Sequence, residues 1–414
     1  MSGKTVVTLG LIRALRRHGL RVASAKVGPD YIDPRFHAHA SGRPCPNLDP
    51  WAMGETGCAA LLEAACGDAD LIIIEGVMGL FDGPHGASGS TADLAAALGL
   101  PVVLVVDARH QSQSLAALVH GFATYRPDVA LAGVIANRIA SDRHAEIVAA
   151  ALGDRLLGMV RADGALELPS RHLGLVQADE NQELEKFIES AASAVARETL
   201  LDRLTNQATA LSTRAGPPPA LAPLGQTIAV ARDVAFGFSY PHVLEGWRRA
   251  GATIRFFSPL ADEAPDGHAD AIFLPGGYPE LHAGRLAGNS RFLSGLRRAN
   301  GVVYGECGGY MVLGEGLIDA DGARHAMSGL LPLTTSFATR RLHLGYRALA
   351  PRPGSPWSKP LRGHEFHYAT VEAEGAADRL FDATDAGGTG LAAMGLRRGP
   401  IMGSFAHLIC EARR

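Results

Sequence analysis

The chain has 414 residues, a length that favours two domains, and its 47% hydrophobic and 20% charged residues are typical of a globular protein. A formal net charge of -3 provides no basic surface for nucleic acid. The longest apolar runs, such as residues 102–106, are too short to span a membrane, so we expect no membrane partner and a cytoplasmic protein. The five cysteines are odd in number and form no Cys-x-x-Cys pair, which indicates a reducing compartment.

Apolar strand-like runs alternate with helical patterns along the N-terminal half. The predicted strands cover residues 21–27, 70–75, 101–107, 131–137 and 156–160. Helices are predicted over residues 92–98 and 114–125, and a long closing helix over 181–204. Runs that are apolar on both faces and separated by helices indicate a parallel sheet covered on both sides.

A proline- and glycine-containing segment follows, with the composition of a linker. After it the alternation resumes, with strands predicted over residues 227–231, 253–257, 271–274 and 301–304, and helices over 239–250 and 279–298. This pattern indicates a second α/β domain. We therefore expect one domain over residues 1–205, a linker over 206–226 and a second domain over 227–414.

Cys307 is the most informative residue of the second half, because it follows the apolar run 301–304 and is flanked by glycines. A strand that ends at one thiol and restarts as a helix is a nucleophile elbow, and the helix N-terminus is expected to lower the pKa of the thiol. His407, after another short strand, would complete a thiolate–imidazole pair for acyl transfer. The backbone N–H groups of Gly277 and Gly308 are expected to form an oxyanion hole.

No third member of this catalytic group is evident from the sequence. Glu411, four residues beyond His407, is a weak candidate for orienting the imidazole. His364 and His367 suggest a zinc motif, but a helical zinc motif places its histidines at i and i+4, whereas these are at i and i+3 in a strand-like segment. We therefore predict no zinc site there.

The N-terminus carries the back half of a phosphate-binding loop, Ser2-Gly3-Lys4-Thr5, ahead of a helical stretch. Lys4 would reach the β- and γ-phosphates of ATP, and Thr5 would hold Mg²⁺. The helix would direct its positive N-terminus toward the phosphates. A complete loop begins with a strand and a leading glycine, so we expect an upstream strand with a glycine-rich lead-in before Ser2.

Polar residues at three other predicted strand ends support a nucleotide site. The segment 26–34 combines Lys26 with carboxylates, and Glu75 ends a strand where open α/β sheets bind ligands and where a carboxylate can hold Mg²⁺. Asn137 also ends a strand, where it either hydrogen-bonds a base or caps a turn.

Together these segments resemble the cobyrinate and hydrogenobyrinate a,c-diamide synthases, glutamine-dependent enzymes of cobalamin biosynthesis. The resemblance covers essentially the whole chain and is carried by residues 26–37, 47–51, 75–83, 276–282, 305–311, 342–347, 363–368 and 403–408. It implies an α/β fold with an N-terminal P-loop domain of the dethiobiotin-synthetase type, containing a parallel sheet. The implied C-terminal domain is a class I glutamine amidotransferase whose branch uses Cys and His without the usual acidic third member.

The resemblance also implies the chemistry. Cys307, activated by His407, takes the acyl group of glutamine and releases ammonia. ATP with Mg²⁺ phosphorylates a carboxylate of the corrinoid, ammonia displaces the phosphate, and the c and a side chains are amidated in turn. The implied site residues are Gly3, Lys4, Thr5 and Asn137 for ATP, Thr5, Glu75 and Asp82 for Mg²⁺, and Asp30, Ile32 and Asp33 for the macrocycle. The implied partners are corrinoid, glutamine and ATP, with a homodimer left open, and the Ala/Arg/Gly-rich composition favours the hydrogenobyrinate branch.

Three alternatives remain. The chain could be a related amidase acting on another tetrapyrrole, such as nickel sirohydrochlorin or a cobyric acid precursor. It could be a P-loop switch that binds nucleotide and amidates nothing, although the elbow at Cys307 argues against this. Its C-terminal half could be a glutaminase serving another protein, which the covalent fusion disfavours.

Overall fold

The computed structural model describes residues 2–168, 170–171, 174–196, 198–211 and 216–413. Two compact units are present. The N-terminal unit comprises Met1–Pro50, Glu55–Gly83 and Ser88–Pro218, and the C-terminal unit comprises Trp51–Gly54, Pro84–Ala87 and Pro219–Arg414. No helix among the described residues is both long enough and apolar enough to cross a bilayer.

The first half of the chain contains eight helices and eight strands among its described residues. The helices are α1 (Lys4–Arg17), α2 (Asp33–Ser41), α3 (Pro50–Cys66), α4 (Thr91–Leu98), α5 (Ser114–Tyr125), α6 (Asp142–Leu152), α7 (Leu184–Val195) and α8 (Glu198–Asn206). The strands are β1 (Val22–Val27), β2 (Asn47–Leu48), β3 (Leu71–Glu75), β4 (Val102–Asp107), β5 (Leu131–Ile139), β6 (Leu156–Arg161), β7 (Ser170–Arg171) and β8 (Gly174–Leu175).

The five predicted N-terminal strands are all present, as β1, β3, β4, β5 and β6, and they pair in parallel. Together with the short strand β2, they form two three-stranded parallel sheets, ordered β2-β1-β3 and β4-β5-β6, and not the single sheet that we expected. Within the described part of the chain, β3 pairs only with β1 and β4 only with β5. Glu75 ends β3, and Asn137 lies near the end of β5, so polar side chains occupy the carboxyl ends of both sheets.

The prediction of one long helix over residues 181–204 is wrong, because the structure has two helices, α7 and α8, in this segment. Helix α7 packs against α1, where a Cβ atom on Gly10 would lie 2.4 Å from the carbonyl oxygen of Ala191. Helix α8 packs on β6, where Leu200 covers Gly158. Both helices contact β6, but the main partner of α7 is α1, and the break near residue 196 separates these two sets of contacts.

The C-terminal half contains four helices and fourteen strands among its described residues. The helices are α9 (Pro241–Arg249), α10 (Ala283–Gly288), α11 (Ser290–Arg297) and α12 (Gly308–Leu313). The strands are β9 (Thr227–Ala231), β10 (Thr253–Phe257), β11 (Ala271–Leu274), β12 (Val302–Glu306), β13 (Gly316–Ile318), β14 (Arg324–Ala326), β15 (Leu333–Ser336), β16 (His343–Pro351), β17 (Leu361–His367), β18 (Thr370–Glu374), β19 (Asp378–Thr384), β20 (Gly390–Arg398), β21 (Ile401–Ser404) and β22 (Ala406–Glu411).

Ten of these strands form one mixed sheet, ordered β10-β9-β11-β12-β21-β20-β19-β16-β17-β22. Its first five strands are parallel, and the remaining pairs are antiparallel. The register places Glu306 opposite Ser404 and His364 opposite His407. A second sheet has the order β14-β13-β15-β18. The ends of β12 and β21 therefore bring the segments of Cys307 and His407 together.

The single helix predicted over residues 279–298 is also wrong. Pro279–His282 forms a 3-10 turn, and α10 and α11 follow it with a break at Asn289. The backbone of Asn289 is non-helical (φ -83°, ψ 84°), and its side-chain Nδ2 donates to the carbonyl oxygen of Pro259 at 2.7 Å. This tertiary hydrogen bond anchors the break.

Candidate functional site

The N-terminus of α1 lies against the end of β5. Nδ2 of Asn137 donates to the carbonyl oxygen of Ser2 at 2.9 Å. Gly3 has a φ of 81°, and a Cβ atom there would lie 2.3 Å from the same Nδ2, so the position requires glycine. Nζ of Lys4 donates to the carbonyl oxygen of Met78 at 3.0 Å. The structure thus brings Gly3, Lys4 and Asn137 to one place.

Thr5 faces a cluster of buried charges at the end of β3. Its Oγ1 is 2.8 Å from Oε1 of Glu75 and 3.1 Å from Oδ2 of Asp33. The ammonium of Lys26 donates to Oδ2 of Asp33 at 2.6 Å and to Oε1 of Glu75 at 2.9 Å. The same ammonium is 3.7 Å from Oδ2 of Asp30. Lys26 and Glu75 are only 2% and 3% exposed, so these charges must be balanced within the cluster.

The protonation states in this cluster follow from burial and from the neighbouring charges. Burial alone would raise the pKa of Glu75, but Lys26 and His37 outweigh it and hold the pKa well below its usual range. Burial and the charge of Asp30 raise the pKa of Asp33 to about 6 despite Lys26. Burial, followed by repulsion from Lys26, lowers the pKa of Lys4. Glu75 is therefore the firmly ionised carboxylate of the cluster.

His37 also belongs to this cluster, although no sequence motif identified it as a site residue. Its Nε2 donates to Oε2 of Glu75 at 2.6 Å, and the ring is fully buried. Burial by itself would lower the pKa of His37, but Cys45 and Glu75 outweigh burial and raise it to about 10. His37 lies within the segment 26–37, which carries part of the family resemblance, and this was the only feature of the sequence that pointed to a role for it.

The oxygen atoms of this cluster suit a hard divalent cation. Oγ1 of Thr5, Oε1 of Glu75 and Oδ2 of Asp33 are the kinds of ligand that Mg²⁺ prefers. Asp33, which was predicted to bind the macrocycle, thus lies beside the predicted metal ligands. Asp82, the third predicted metal ligand, is exposed, and its Oδ2 accepts the N–H of Gly79 at 2.8 Å.

The other two predicted macrocycle residues lie at the start of α2. Oδ1 of Asp30 accepts the N–H groups of Ile32 at 2.9 Å and Asp33 at 3.0 Å. Ile32 is 7% exposed and precedes the helix. The carboxylate of Asp30 therefore helps to start α2 and also faces Lys26.

Cys307 has the predicted elbow geometry. Its backbone is strained (φ 46°, ψ -107°), it follows β12 directly, and α12 begins at Gly308. The N–H of Cys307 donates to the carbonyl oxygen of Ser404 at 2.9 Å, which holds the elbow against β21. A Cβ atom on Gly309 would lie 1.9 Å from the carbonyl oxygen of Leu274, so the tight packing of α12 requires this glycine.

The imidazole of His407 and Cβ of Cys307 both lie beside Gly276. A Cβ atom on Gly276 would lie 2.3 Å from Cε1 and 3.1 Å from Nε2 of His407, and 3.2 Å from Cβ of Cys307. A Cβ atom on Gly308 would lie 3.1 Å from the backbone nitrogen of Gly277, so the two predicted oxyanion-hole glycines are neighbours. The structure thus brings the four predicted residues of this site together.

The thiol does not have the lowered pKa that we expected. Burial raises the pKa of Cys307, the charges of Glu280, Glu365 and Glu306 raise it further, and the N–H of Gly308 opposes them without outweighing them. Burial, followed by His364 and His367, lowers the pKa of His407 to about 3. The pair therefore rests as a neutral thiol and a neutral imidazole, and the imidazole must take the proton when the thiol attacks.

Glu411 does not orient His407, in contrast to the weak candidate role considered above. Its Oε2 accepts from Nζ of Lys359 at 2.7 Å. The carboxylate near the imidazole is that of Glu306, whose Oε2 is 3.8 Å from Nδ1 of His407. Oε1 of Glu306 accepts the N–H of Leu408 at 3.0 Å. Glu306 precedes Cys307 in the chain, so no local sequence spacing relates it to His407.

A histidine–carboxylate cluster also lies near Cys307, formed by His343, Glu365 and His367 with ligand atoms within 4.8 Å of one another. The rings of His343 and His367 are stacked 4.7 Å apart with planes 7° from parallel. A metal ion lies close to the plane of each imidazole that binds it, so two stacked rings do not converge on one ion. Arg347 donates to Oε2 of Glu365 at 2.8 Å, and the cluster is best described as a hydrogen-bonded ion-pair network.

Comparisons with known proteins match both halves of the chain. Residues 2–176 match the CobQ/CobB/MinD/ParA nucleotide binding domain, and residues 227–414 match the CobB/CobQ-like glutamine amidotransferase domain. Proteins named hydrogenobyrinate a,c-diamide synthase are 55% identical in a Sinorhizobium species, 56% in Rhizobium meliloti and 52% in Rhodobacter capsulatus. Each alignment covers 99% of this chain and 96% of the relative. This chain belongs to the hydrogenobyrinate a,c-diamide synthase family.

Membership of the hydrogenobyrinate a,c-diamide synthase family confirms three predictions from the sequence. The family resemblance is correct, and so is the fold class, with a P-loop domain followed by a class I glutamine amidotransferase domain. The enzyme class is correct as well: a ligase that forms C–N bonds with glutamine as the amido donor.

Proposed function

We propose that this protein catalyses the ATP- and glutamine-dependent amidation of the a and c carboxylates of hydrogenobyrinate, with cobyrinate as the alternative corrinoid. Near-full-length identity of 52–56% to relatives that bear this enzyme's name carries the proposal. The domain assignment belongs to it: residues 1–205 for amidation, 206–226 as linker and 227–414 for glutamine hydrolysis. The free, buried cysteines support a cytoplasmic location.

The C-terminal domain would release ammonia through Cys307 and His407. The neutral imidazole takes the thiol proton as the sulfur attacks the amide carbon of glutamine, and the N–H groups of Gly277 and Gly308 stabilise the oxyanion. The protonated imidazole then gives its proton to the departing ammonia. A glutamyl thioester remains on Cys307, and a water molecule hydrolyses it to glutamate and the free thiol.

The N-terminal domain would use that ammonia to amidate the corrinoid. Gly3, Lys4, Thr5 and Asn137 would bind ATP, and Thr5, Glu75 and Asp82 would hold Mg²⁺, with Asp33 added from its position beside Thr5. When bound, Mg²⁺ neutralises phosphate charge. A corrinoid carboxylate held near Asp30 and Ile32 attacks the γ-phosphorus and ADP leaves. Ammonia then attacks the acyl phosphate carbon, phosphate leaves, and the carboxylate becomes an amide.

The test is to incubate the purified protein with ATP, Mg²⁺ and glutamine together with either hydrogenobyrinate or cobyrinate, and to weigh the corrinoid product. We expect two carboxylate-to-amide conversions. With Cys307→Ser, amidation from glutamine should be abolished, whereas amidation at high ammonium and elevated pH should survive, because the thiol only supplies ammonia. No amidation of either corrinoid would refute the proposal. Wild-type glutamine hydrolysis by the variant would refute the role of Cys307.

A nucleotide switch would behave differently in the same assay. It would bind or hydrolyse ATP without a requirement for corrinoid and glutamine together. Stimulation of ATP hydrolysis by both substrates, with a matching yield of amide, therefore separates the enzyme from the switch. Amidation of another tetrapyrrole in place of both corrinoids would support the remaining alternative.

A further inference from the structure

The side chain of Glu306 lies between the catalytic strand and the segment that carries His407. Glu306 is the last residue of β12, directly before Cys307, and it is 4% exposed. Its Oε1 accepts the N–H of Leu408 at 3.0 Å, so the carboxylate is bound to the peptide group that follows His407. Its Oε2 is 3.8 Å from Nδ1 of the imidazole. A buried carboxyl group is therefore fixed beside one particular nitrogen of the histidine.

The orientation of the imidazole gives this contact a chemical meaning. Cε1 and Nε2 of His407 face Gly276, whose Cβ position is also in contact with Cys307. Nδ1 is the ring nitrogen that lies near Glu306. A histidine that takes a thiol proton on Nε2 must carry its own proton on Nδ1. A carboxylate at Nδ1 selects that tautomer and stabilises the imidazolium that forms.

We propose that Glu306 is the positioning residue of His407, and that it supplies an acidic third member of the site from the strand that precedes the nucleophile. The inference rests on the proposed function, in which Cys307 and His407 form the catalytic pair. The observation that carries it is the distance of 3.8 Å between Oε2 of Glu306 and Nδ1 of His407.

Two other carboxylates in this region are engaged elsewhere. Glu411 is bound by Lys359 at 2.7 Å. Glu365 is held by Arg347 at 2.7 Å and by His367 at 2.9 Å. Neither is therefore positioned to replace Glu306 at Nδ1 of His407.

The ionisation of Glu306 should control glutamine hydrolysis. Burial raises the pKa of Glu306 to about 8. A protonated carboxyl can donate to Nδ1, which leaves the proton on Nε2 and removes the base, whereas an ionised carboxylate accepts from Nδ1 and frees Nε2. Activity should therefore rise with pH as Glu306 loses its proton. The other ionisable groups around the pair are Tyr304 on β12, His364, Glu365 and His367 on β17, and Cys307 and Glu280.

The test compares Glu306→Gln with the matched control Glu411→Gln in the full-length protein. We expect Glu306→Gln to lower kcat for glutamine hydrolysis about 100-fold or more with little change in KM, since a triad carboxylate acts on the transition state. The rise of activity near pH 8 should disappear in this variant. Amidation with ammonium should be unchanged, and Glu411→Gln should stay within about threefold of the wild type in every assay.

Glutamine hydrolysis by Glu306→Gln within about threefold of the wild type would overturn the inference, and so would a lower kcat with the wild-type pH profile. If Glu306→Gln does not fold, Glu306→Asp decides, because its shorter side chain keeps the charge but withdraws it from Nδ1. A reduced kcat that still rises near pH 8 supports the inference, and an unchanged kcat refutes it. Failure of the proposed function has a separate signature, namely glutamine hydrolysis that survives Cys307→Ser.

Discussion

At the scale of single residues, Glu75 is notable because both of its carboxylate oxygens are occupied. Oε1 accepts from Thr5 and Lys26, and Oε2 accepts from His37 at 2.6 Å. The residue is 3% exposed, so each of these contacts is made in a low-dielectric environment where an unmatched charge would be costly. A neutral isostere should therefore keep the shape of the site and remove its charge balance.

We predict that Glu75→Gln loses ATP-dependent amidation about 100-fold or more with either glutamine or ammonium, because an amide replaces a carboxylate poorly as a hard Mg²⁺ ligand. Product formation with each nitrogen source measures the effect. Glutamine hydrolysis at Cys307 should persist and serves as the internal control. Unchanged Mg²⁺-dependent turnover would rule out the metal role of Glu75.

His37 should make the stability of the N-terminal unit depend on pH. Its pKa in the folded protein is raised from the usual 6.5 to about 10. The stabilisation from its protonated form is therefore fully present below pH 6.5 and is lost as the pH rises toward 10. Urea unfolding of the wild type and His37→Gln should show the larger difference, about 3 kcal/mol, at the lower pH. A difference that grows with pH would contradict this sign.

At the scale of secondary-structure elements, the contact between α1 and α7 depends on the absence of a side chain at Gly10. A Cβ atom there would lie 2.4 Å from the carbonyl oxygen of Ala191, a backbone atom that cannot rotate away. Gly121 in α5 offers a matched control, because a Cβ atom there would have no neighbour within 4 Å.

We predict that Gly10→Ala destabilises the N-terminal unit by about 1–3 kcal/mol, although alanine is the better helix former. Gly121→Ala should stabilise the unit by about 0.5–1 kcal/mol, since only helix propensity changes there. Denaturant unfolding of both variants measures the two free energies. Equal effects of the same sign would show that helix propensity, and not the packing of α1 on α7, decides.

The sequence predicted local elements better than their breaks and pairings. Helix α5 and strands β9, β10 and β11 have the predicted bounds, because periodic hydrophobicity is encoded within each segment. The breaks near residue 196 and at Asn289 depend on contacts with distant elements, such as the carbonyl oxygen of Pro259, and no local pattern encodes them. The division of the N-terminal strands into two sheets is likewise a matter of long-range pairing.

The candidate site shows the same division. The sequence identified the site residues that belong to known motifs at predicted strand or helix ends, namely Cys307, His407, Lys4 and Thr5. It did not identify Glu306 and His37, because their roles depend on which side chain faces them across the fold. The pKa of Cys307 could not be inferred from the elbow alone, since burial and three acidic side chains outweigh the N–H of Gly308.

At the scale of the whole molecule, two short segments from the first quarter of the chain belong to the C-terminal unit, although they precede the linker in sequence. Trp51–Gly54 and Pro84–Ala87 group with that unit. The guanidinium of Arg362 lies 4.3 Å from the ring centroid of Trp51, and the ring of Tyr346 is 4.7 Å from it. Sγ of Cys410 donates to the carbonyl oxygen of Ala52 at 3.2 Å. These contacts tie a short early segment to strands that are formed much later in the chain.

We predict that Trp51→Ala destabilises the C-terminal unit by about 1–2 kcal/mol, because both the cation–π contact and the aromatic pair are lost. Thermal inactivation of glutamine hydrolysis measures this loss. Trp51→Phe retains an aromatic ring for Arg362 and should recover most of the stability. Inactivation of Trp51→Ala at the wild-type temperature would show that the segment contributes little.

The early placement of Trp51–Gly54 and Pro84–Ala87 constrains how such a gene can be divided. A break in the linker would leave the glutamine-hydrolysing polypeptide without two short peptides that are encoded more than one hundred residues upstream. If the two halves were translated separately, the N-terminal polypeptide would have to contribute both peptides to the C-terminal unit each time the halves assembled. A single open reading frame supplies these two peptides with every copy of the C-terminal unit. This favours keeping both parts of the enzyme in one polypeptide.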